Sequence, residues 1–113
     1  MLPVVSVIIP AYNTEDYIER AVRSVLEQSF QELEVVVVDD ASTDRTYEVV
    51  KAIDDPRVKL FKNEKNSGAG ATRNRAIQES QGEWIAVLDS DDWYAPQRLE
   101  SLLSLPGLKL QPW

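Results

Sequence analysis

The 113 residues include no cysteine and no histidine. Those absences exclude disulfides, thiol nucleophiles, imidazole bases and the usual structural zinc sites. Any chemistry must then come from carboxylates, Lys, Arg, Tyr, hydroxyls or a metal held through oxygen. The lack of cysteine also suits a reducing compartment. No apolar run approaches the ~18 residues of a membrane-spanning helix. The first ten residues are apolar, but the first basic residue is Arg20 and no small-residue cleavage pattern follows, so they read as a strand rather than a signal peptide. Basic residues are in the minority, with 12 Lys and Arg against 19 Asp and Glu. The resulting net charge of -7 argues against nonspecific binding to nucleic acid or to an anionic membrane surface.

What is present is the composition of one soluble globular domain, 43% hydrophobic and 27% charged. Val4 to Ile9 and Leu33 to Val38 are nearly continuous β-branched or apolar runs, as expected of parallel strands buried on both faces. A weaker strand runs through Val58, Leu60 and Phe61, and Trp84 to Leu88 forms a fourth. Between them, apolar residues at helical spacing predict a helix from a Thr14 cap to about Gln28, with Ile18, Ala21, Val22, Val25 and Leu26 inward. A second helix is capped by Ser42 or Thr43 and carries Tyr47, Val50 and Ile53. A third opens at Gly68-Ala69-Gly70 and runs through Ala71, Ala76 and Ile77. A last one follows Pro96 with Leu99, Leu102 and Leu103 inward. Strands alternating with helices predict an α/β fold, a mostly parallel Rossmann-like sheet with helices on both faces. Residues 1–104 make the domain, and 105–113, with two prolines and no clear period, make an irregular tail.

Ligands of such sheets bind beyond the carboxyl ends of the strands. Four strand ends converge there. Asp89, Asp91 and Asp92 follow the fourth strand. Carboxylates crowded at one turn repel each other, which a divalent ion bound through oxygen, Mg or Mn, relieves; the plainer alternative is an acidic turn capping the next helix. Tyr12, past the first strand, either lines the core or offers a stacking face to a flat base. Of Asp39 and Asp40 after the second strand, successive side chains point to opposite sides, so one faces a ligand and the other helps the following helix. Gly68 and its neighbours place backbone N–H groups at a helix start, with Arg73 and Arg75 in the next turns, an arrangement suited to phosphate.

Taken in order and spacing, Val-Ser-Val-Ile-Ile-Pro-Ala-Tyr-Asn, Val-Val-Val-Asp-Asp-Ala-Ser-Thr-Asp, Asn-Ser-Gly-Ala-Gly-Ala-Thr-Arg-Asn and Leu-Asp-Ser-Asp-Asp resemble the nucleotide-sugar half of family 2 glycosyltransferases with the GT-A fold, to about Leu103. The resemblance implies that Pro10 and Tyr12 border the base, Asp40 reads it, and Arg73 lies toward the diphosphate. It implies an Asp-x-Asp motif in which Asp91 is the direct metal ligand and Asp89 lies closer to the ribose or sugar. The implied donor is a nucleotide diphosphate sugar of UDP or dTDP type, and the implied reaction is inverting transfer to a saccharide or lipid acceptor hydroxyl in polysaccharide biosynthesis. Such an enzyme works in the cytoplasm, at the inner face of the membrane when intact. Relatives draw the acceptor pocket and a carboxylate base from a C-terminal half, so the expectation for this stretch is donor binding with little or no transfer. Asp92 is then the one available candidate base, and truncation would favour self-association. Two rival readings are a receiver-like phosphoacceptor domain using Asp39, Asp40 and Asp89, and a nonenzymatic α/β remnant.

Overall fold

The computed structural model describes residues 2–104 and 111–112. Strands β1 (Val5–Ala11), β2 (Leu33–Asp39), β3 (Val58–Lys62) and β4 (Trp84–Val87) are mutually parallel, in the order β3-β2-β1-β4. A short strand, β5 (Gln111–Pro112), pairs antiparallel with Trp84 and Ile85 on the far side of β4. Of the tail expected to be irregular, 105–110 and 113 lie outside the described residues.

β1 and β2 occupy the middle of the sheet because their side chains are apolar on both faces. Val5, Val7, Ile9, Val35 and Val37 enter one core, while Ile8, Val36 and Val38 enter the other. The first core is covered by α1 (Ile18–Leu26), α2 (Thr46–Lys51) and α4 (Arg98–Ser104) through Ile18, Val22, Val25, Val50 and Leu99. The second lies under α3 (Ala69–Glu79), through Ala76 and Ile77. Phe61, one residue on from Leu60, points to the opposite face and packs on the α3 side. The other two apolar residues of β3, Val58 and Leu60, face the first core. Lys59 and Lys62 of this edge strand stay exposed.

Three helix starts differ from the sequence reading. Ser42 and Thr43 do not cap because their polar atoms are drawn into contacts with Asp39 and Asn13, and the Thr14 hydroxyl is buried without a partner among the described residues. α1 begins at Ile18 after a turn in which the Thr14 carbonyl accepts from the amides of Tyr17 and Ile18. α2 begins at Thr46, whose amide and hydroxyl both donate to Asp44 Oδ1. α4 begins two residues after Pro96, at Arg98. α3 opens at the glycines as expected, with Gly68 at a φ of 95°. At the opposite end of the sheet, Ser6 Oγ and the Gln81 amide both donate to the buried Glu34 carboxylate, and the Gly82 amide donates to Ser6 Oγ.

Candidate functional site

In the order β3-β2-β1-β4, β1 has neighbours reached by chain connections running in opposite directions, so a crevice opens beyond its carboxyl end. A cleft of about 410 Å³ lies there, lined by Pro10, Ala11, Tyr12 and Thr14 at and after the end of β1, Asp40 just after β2, Asn66, Gly68, Ala69, Thr72 and Arg73 around the start of α3, and Asp89 to Asp91 after β4. Pro10, Tyr12, Asp40, Gly68, Arg73, Asp89 and Asp91, singled out from the sequence, all line it. Asp92 does not. It opens to a separate hollow with Val87, Tyr94 and Arg98.

Tyr12 is 47% exposed at the cleft, so it does not line the core. Asn13, held at a φ of 50°, ties the loops after β1 and β2 together. Its Oδ1 accepts from the Thr43 amide at 2.8 Å, and its own amide donates to Ser42 Oγ at 2.9 Å. Asp39 is fully buried and turned away from the cleft, accepting from the hydroxyl and amide of Ser42 at 2.5 and 3.1 Å.

Asp40 is also nearly buried, at 4% exposure, yet borders the cleft. Its Oδ1 accepts from Asn63 Nδ2 at 2.8 Å and from the Ser67 amide at 2.7 Å, and its Oδ2 accepts from the Gly68 amide at 3.0 Å. Burial by itself raises its pKa; the hydrogen bonds from Asn63, Ser67 and Gly68 outweigh it, and the carboxyl lies below its ordinary value of 3.8, while the proton of the nearby Thr72 hydroxyl goes to the Gly68 carbonyl. Four lone-pair directions less three donors leave one on Oδ2 for a ligand. The expected division between Asp39 and Asp40 is thus only partly right: Asp40 alone borders the cleft, but it also fixes the glycine-containing turn.

Arg75, grouped from the sequence with Arg73 as a phosphate contact, is spent on structure. Its Nη1 donates to the Lys62 carbonyl and to Asn63 Oδ1, which orients Asn63 toward Asp40. Arg73 makes no hydrogen bond or ion pair among the described residues and remains available at the cleft. Asn63, Asn66 and Thr72 were missed by sequence reading. Their signal was present in the polar run after β3, but which amide would meet Asp40 depends on the pairing of β2 with β3.

Asp89 and Asp91 are exposed, and Ser90 between them is buried, so the two carboxylates lie on one side of the turn. Among the described residues no group of three acidic side chains converges as a metal cage. Two carboxylate donors fit Mg or Mn of the kind that takes its remaining oxygens from substrate phosphates and water.

Ala41 has a φ of 58°, in the left-handed region. That conformation costs an L-residue about 1–2 kcal/mol, against roughly 0.5–1 kcal/mol of extra chain entropy for glycine. Ala41→Gly is expected to raise the melting temperature by a few degrees; a lower melting temperature would show that the strain is absent.

The Glycosyl transferase family 2 sequence model matches residues 6–105. Among curated proteins, the chain is 46% identical over 103 residues to the putative teichuronic acid biosynthesis glycosyltransferase TuaG of Bacillus subtilis, covering 89% of this chain and 41% of that protein. It is 42% identical over 101 residues to WfgD of Escherichia coli, a UDP-Glc:alpha-D-GlcNAc-diphosphoundecaprenol beta-1,3-glucosyltransferase, covering 89% and 40%. Among solved structures, Staphylococcus aureus TarS 1-349 in complex with UDP-GlcNAc superposes with a TM-score of 0.83 at 40% identity, covering 89% of this chain and 30% of that one. The mannosyltransferase PcManGT from Pyrobaculum calidifontis, in complex with GDP-Man and Mn2+, gives 0.80 at 31% identity, covering 94% and 34%. The chain thus spans about two fifths of the length of these curated relatives.

Proposed function

The chain belongs to glycosyl transferase family 2, and from that premise we propose that its cleft binds the nucleotide diphosphate part of a sugar donor, of UDP type, together with Mg or Mn. The observation that carries this reading is the meeting in one cleft of an exposed aromatic ring, a braced carboxylate, an unpaired arginine beside a helix start, and two outward carboxylates. Family membership speaks against the receiver reading, and Asp39 is committed to Ser42 rather than to a shared ion site.

In the proposed complex, Tyr12 and Pro10 flank the base, and the free lone pair of Asp40 accepts from a base N–H. The amides around Gly68 and the guanidinium of Arg73 face the diphosphate, where partial and full positive charge oppose the phosphates. Asp91 would hold the cation directly, with Asp89 nearer the ribose or sugar. When bound, the cation neutralises charge on the departing diphosphate. The sugar would pass with inversion to a hydroxyl of a saccharide on a lipid carrier, the acceptor class named for the relative WfgD. Asp92, opening outside the donor cleft, stands as the candidate base on the acceptor side. By themselves these residues are proposed to hold donor and to transfer it poorly. No helix among the described residues is long and apolar enough to cross a membrane, and a cytoplasmic site at the inner membrane face is proposed from the acceptor chemistry.

Calorimetric titration of UDP with manganese and with chelator tests the reading. Manganese is expected to tighten binding at least ~10-fold, and Asp91→Asn to abolish that gain. Equal affinity in manganese and chelator would sink the metal role. A larger loss in Asp92→Asn than in Asp91→Asn would overturn the assignment within the turn.

A further inference from the structure

The segment leaving the acidic turn is tied down from outside the cleft, at the end of one helix. The side chain of Gln28, just past the end of α1, is 1% exposed, although glutamine is normally a surface residue. Its Nε2 donates to the carbonyls of Ser24 at 3.0 Å and Ala95 at 2.6 Å, and its Oε1 accepts from the Leu99 amide at 3.0 Å. One amide group therefore joins the end of α1, the segment after the acidic turn and the start of α4.

Neighbouring contacts follow the same path. The Tyr94 amide donates to Ser24 Oγ at 3.0 Å, and the Ser29 amide donates to the Pro96 carbonyl at 2.8 Å. At the exposed end of the same side, the Arg20 guanidinium stacks 4.1 Å from the centre of the Trp93 ring and reaches the Asp91 carbonyl at 3.4 Å. Asp91 itself has no side-chain hydrogen bond among the described residues. The direction of its carboxylate is set by where its backbone is held: by the Asp92 amide on the Asp89 carbonyl within the turn, by the Leu88 amide on Ile8 of β1 before it, and by Arg20 of α1 and the Gln28 contacts on the outer side.

We propose that Gln28 is a positioning residue for the acidic turn, with Arg20 assisting, so that metal-dependent donor binding depends on a buried amide that touches neither metal nor donor. The proposal rests on the donor-site reading above. Groups that orient metal ligands without touching the ion typically change metal affinity ~10- to 100-fold when removed.

The test is Gln28→Met, which keeps length and removes all three hydrogen bonds. UDP affinity with manganese is expected to fall at least ~10-fold, while uridine affinity in chelator stays within about two-fold, because the base side of the cleft is built on β1 and β2. Hydrogen exchange supplies a readout without ligand: the Tyr94 and Leu99 amides should exchange faster, and the β1 and β2 amides should not. Arg20→Ala, an exposed change that leaves the core intact, should lower the manganese gain by a smaller factor and serves if Gln28→Met does not fold. An undiminished manganese gain in Gln28→Met, or in Arg20→Ala where that variant stands in for it, overturns the proposal and leaves the donor site standing. Equal losses of uridine and UDP affinity also overturn it. An absence of manganese gain in the unaltered chain removes the donor-site reading, and this role with it.

Discussion

Asp40→Asn is expected to be nearly as damaging as Asp40→Ala, whereas Asp39→Asn is expected to be mild. The reason is the direction of the hydrogen bonds. All three partners of the Asp40 carboxylate are donors: Asn63 Nδ2 and the amides of Ser67 and Gly68. An asparagine there must aim its own NH2 at one of them, so a buried donor goes unmet, at a cost of about 1–3 kcal/mol, more where the lost acceptor was charged. At Asp39 the partners are the Ser42 amide and the Ser42 hydroxyl. The hydroxyl can rotate to accept, so asparagine serves both at a cost within about 1 kcal/mol.

For Asp40→Asn the melting temperature should fall by roughly 10–20 °C. Uridine affinity should fall ~10- to 100-fold even in chelator, the worth of a hydrogen bond to a charged group. Acid should have a similar effect. The folded Asp40 carboxyl titrates below 3.8, so its contribution is present above that pH and is lost as pH falls through the folded value. Melting curves and uridine titrations of the two asparagine variants decide the matter. Equal stability of the two would refute the bracing role of Asp40.

The second large effect lies at the opposite end of the sheet. A Cβ on Gly82 would sit 2.7 Å from the Ser6 amide nitrogen, 2.7 Å from Ser6 Oγ and 2.9 Å from the Val5 carbonyl carbon. Two of these are backbone atoms of the central strand, which cannot yield as a side chain can. Gly82→Ala is expected to cost about 3 kcal/mol and roughly 12 °C of melting temperature or more. Affinity of the folded fraction for UDP should be unchanged, because Ser6 is at the start of β1 and the cleft is beyond its end. A melting temperature within two or three degrees of the unaltered chain would show that β1 and the turn before β4 can separate freely.

Much of this arrangement was legible in the sequence, because the strands are written in β-branched runs and each run ends in the residues that border the cleft. Val35 to Val38 has only one sensible place, the middle of a two-sided sheet, and Asp39-Asp40 must then stand at its carboxyl edge. The end of the Trp84 to Leu88 run likewise brought Asp89, Asp91 and Asp92 to that edge, but which two of them share the cleft became visible only with Ser90 buried between Asp89 and Asp91. What the sequence left open was the choice of polar partner. Asn63 reaches Asp40 because β3 pairs with β2 in one register, and Arg75 reaches Asn63 because α3 crosses that pair. Thr14, Ser42 and Thr43 look like helix caps locally, but Ser42 and Thr43 meet Asn13 some 30 residues away in sequence, and Thr14 meets Thr46 through its amide, not its hydroxyl. Gln28 shows nothing of its role locally, since beyond Ser24 its partners are Ala95 and Leu99, far along the chain.

The two borders of the sheet are unlike. On the β3 border, exposed Lys59 and Lys62 set charge along the open strand, and the Lys62 carbonyl is already taken by Arg75. A strand arriving there would have to bury ammonium groups and displace a guanidinium, which is how natural proteins discourage edge pairing. On the other side the sheet does not end at β4, since Gln111 and Pro112 pair antiparallel with Ile85 and Trp84. Among the described residues the sheet thus extends past β4, whose carboxyl end leads into the acidic turn, and stops at β3.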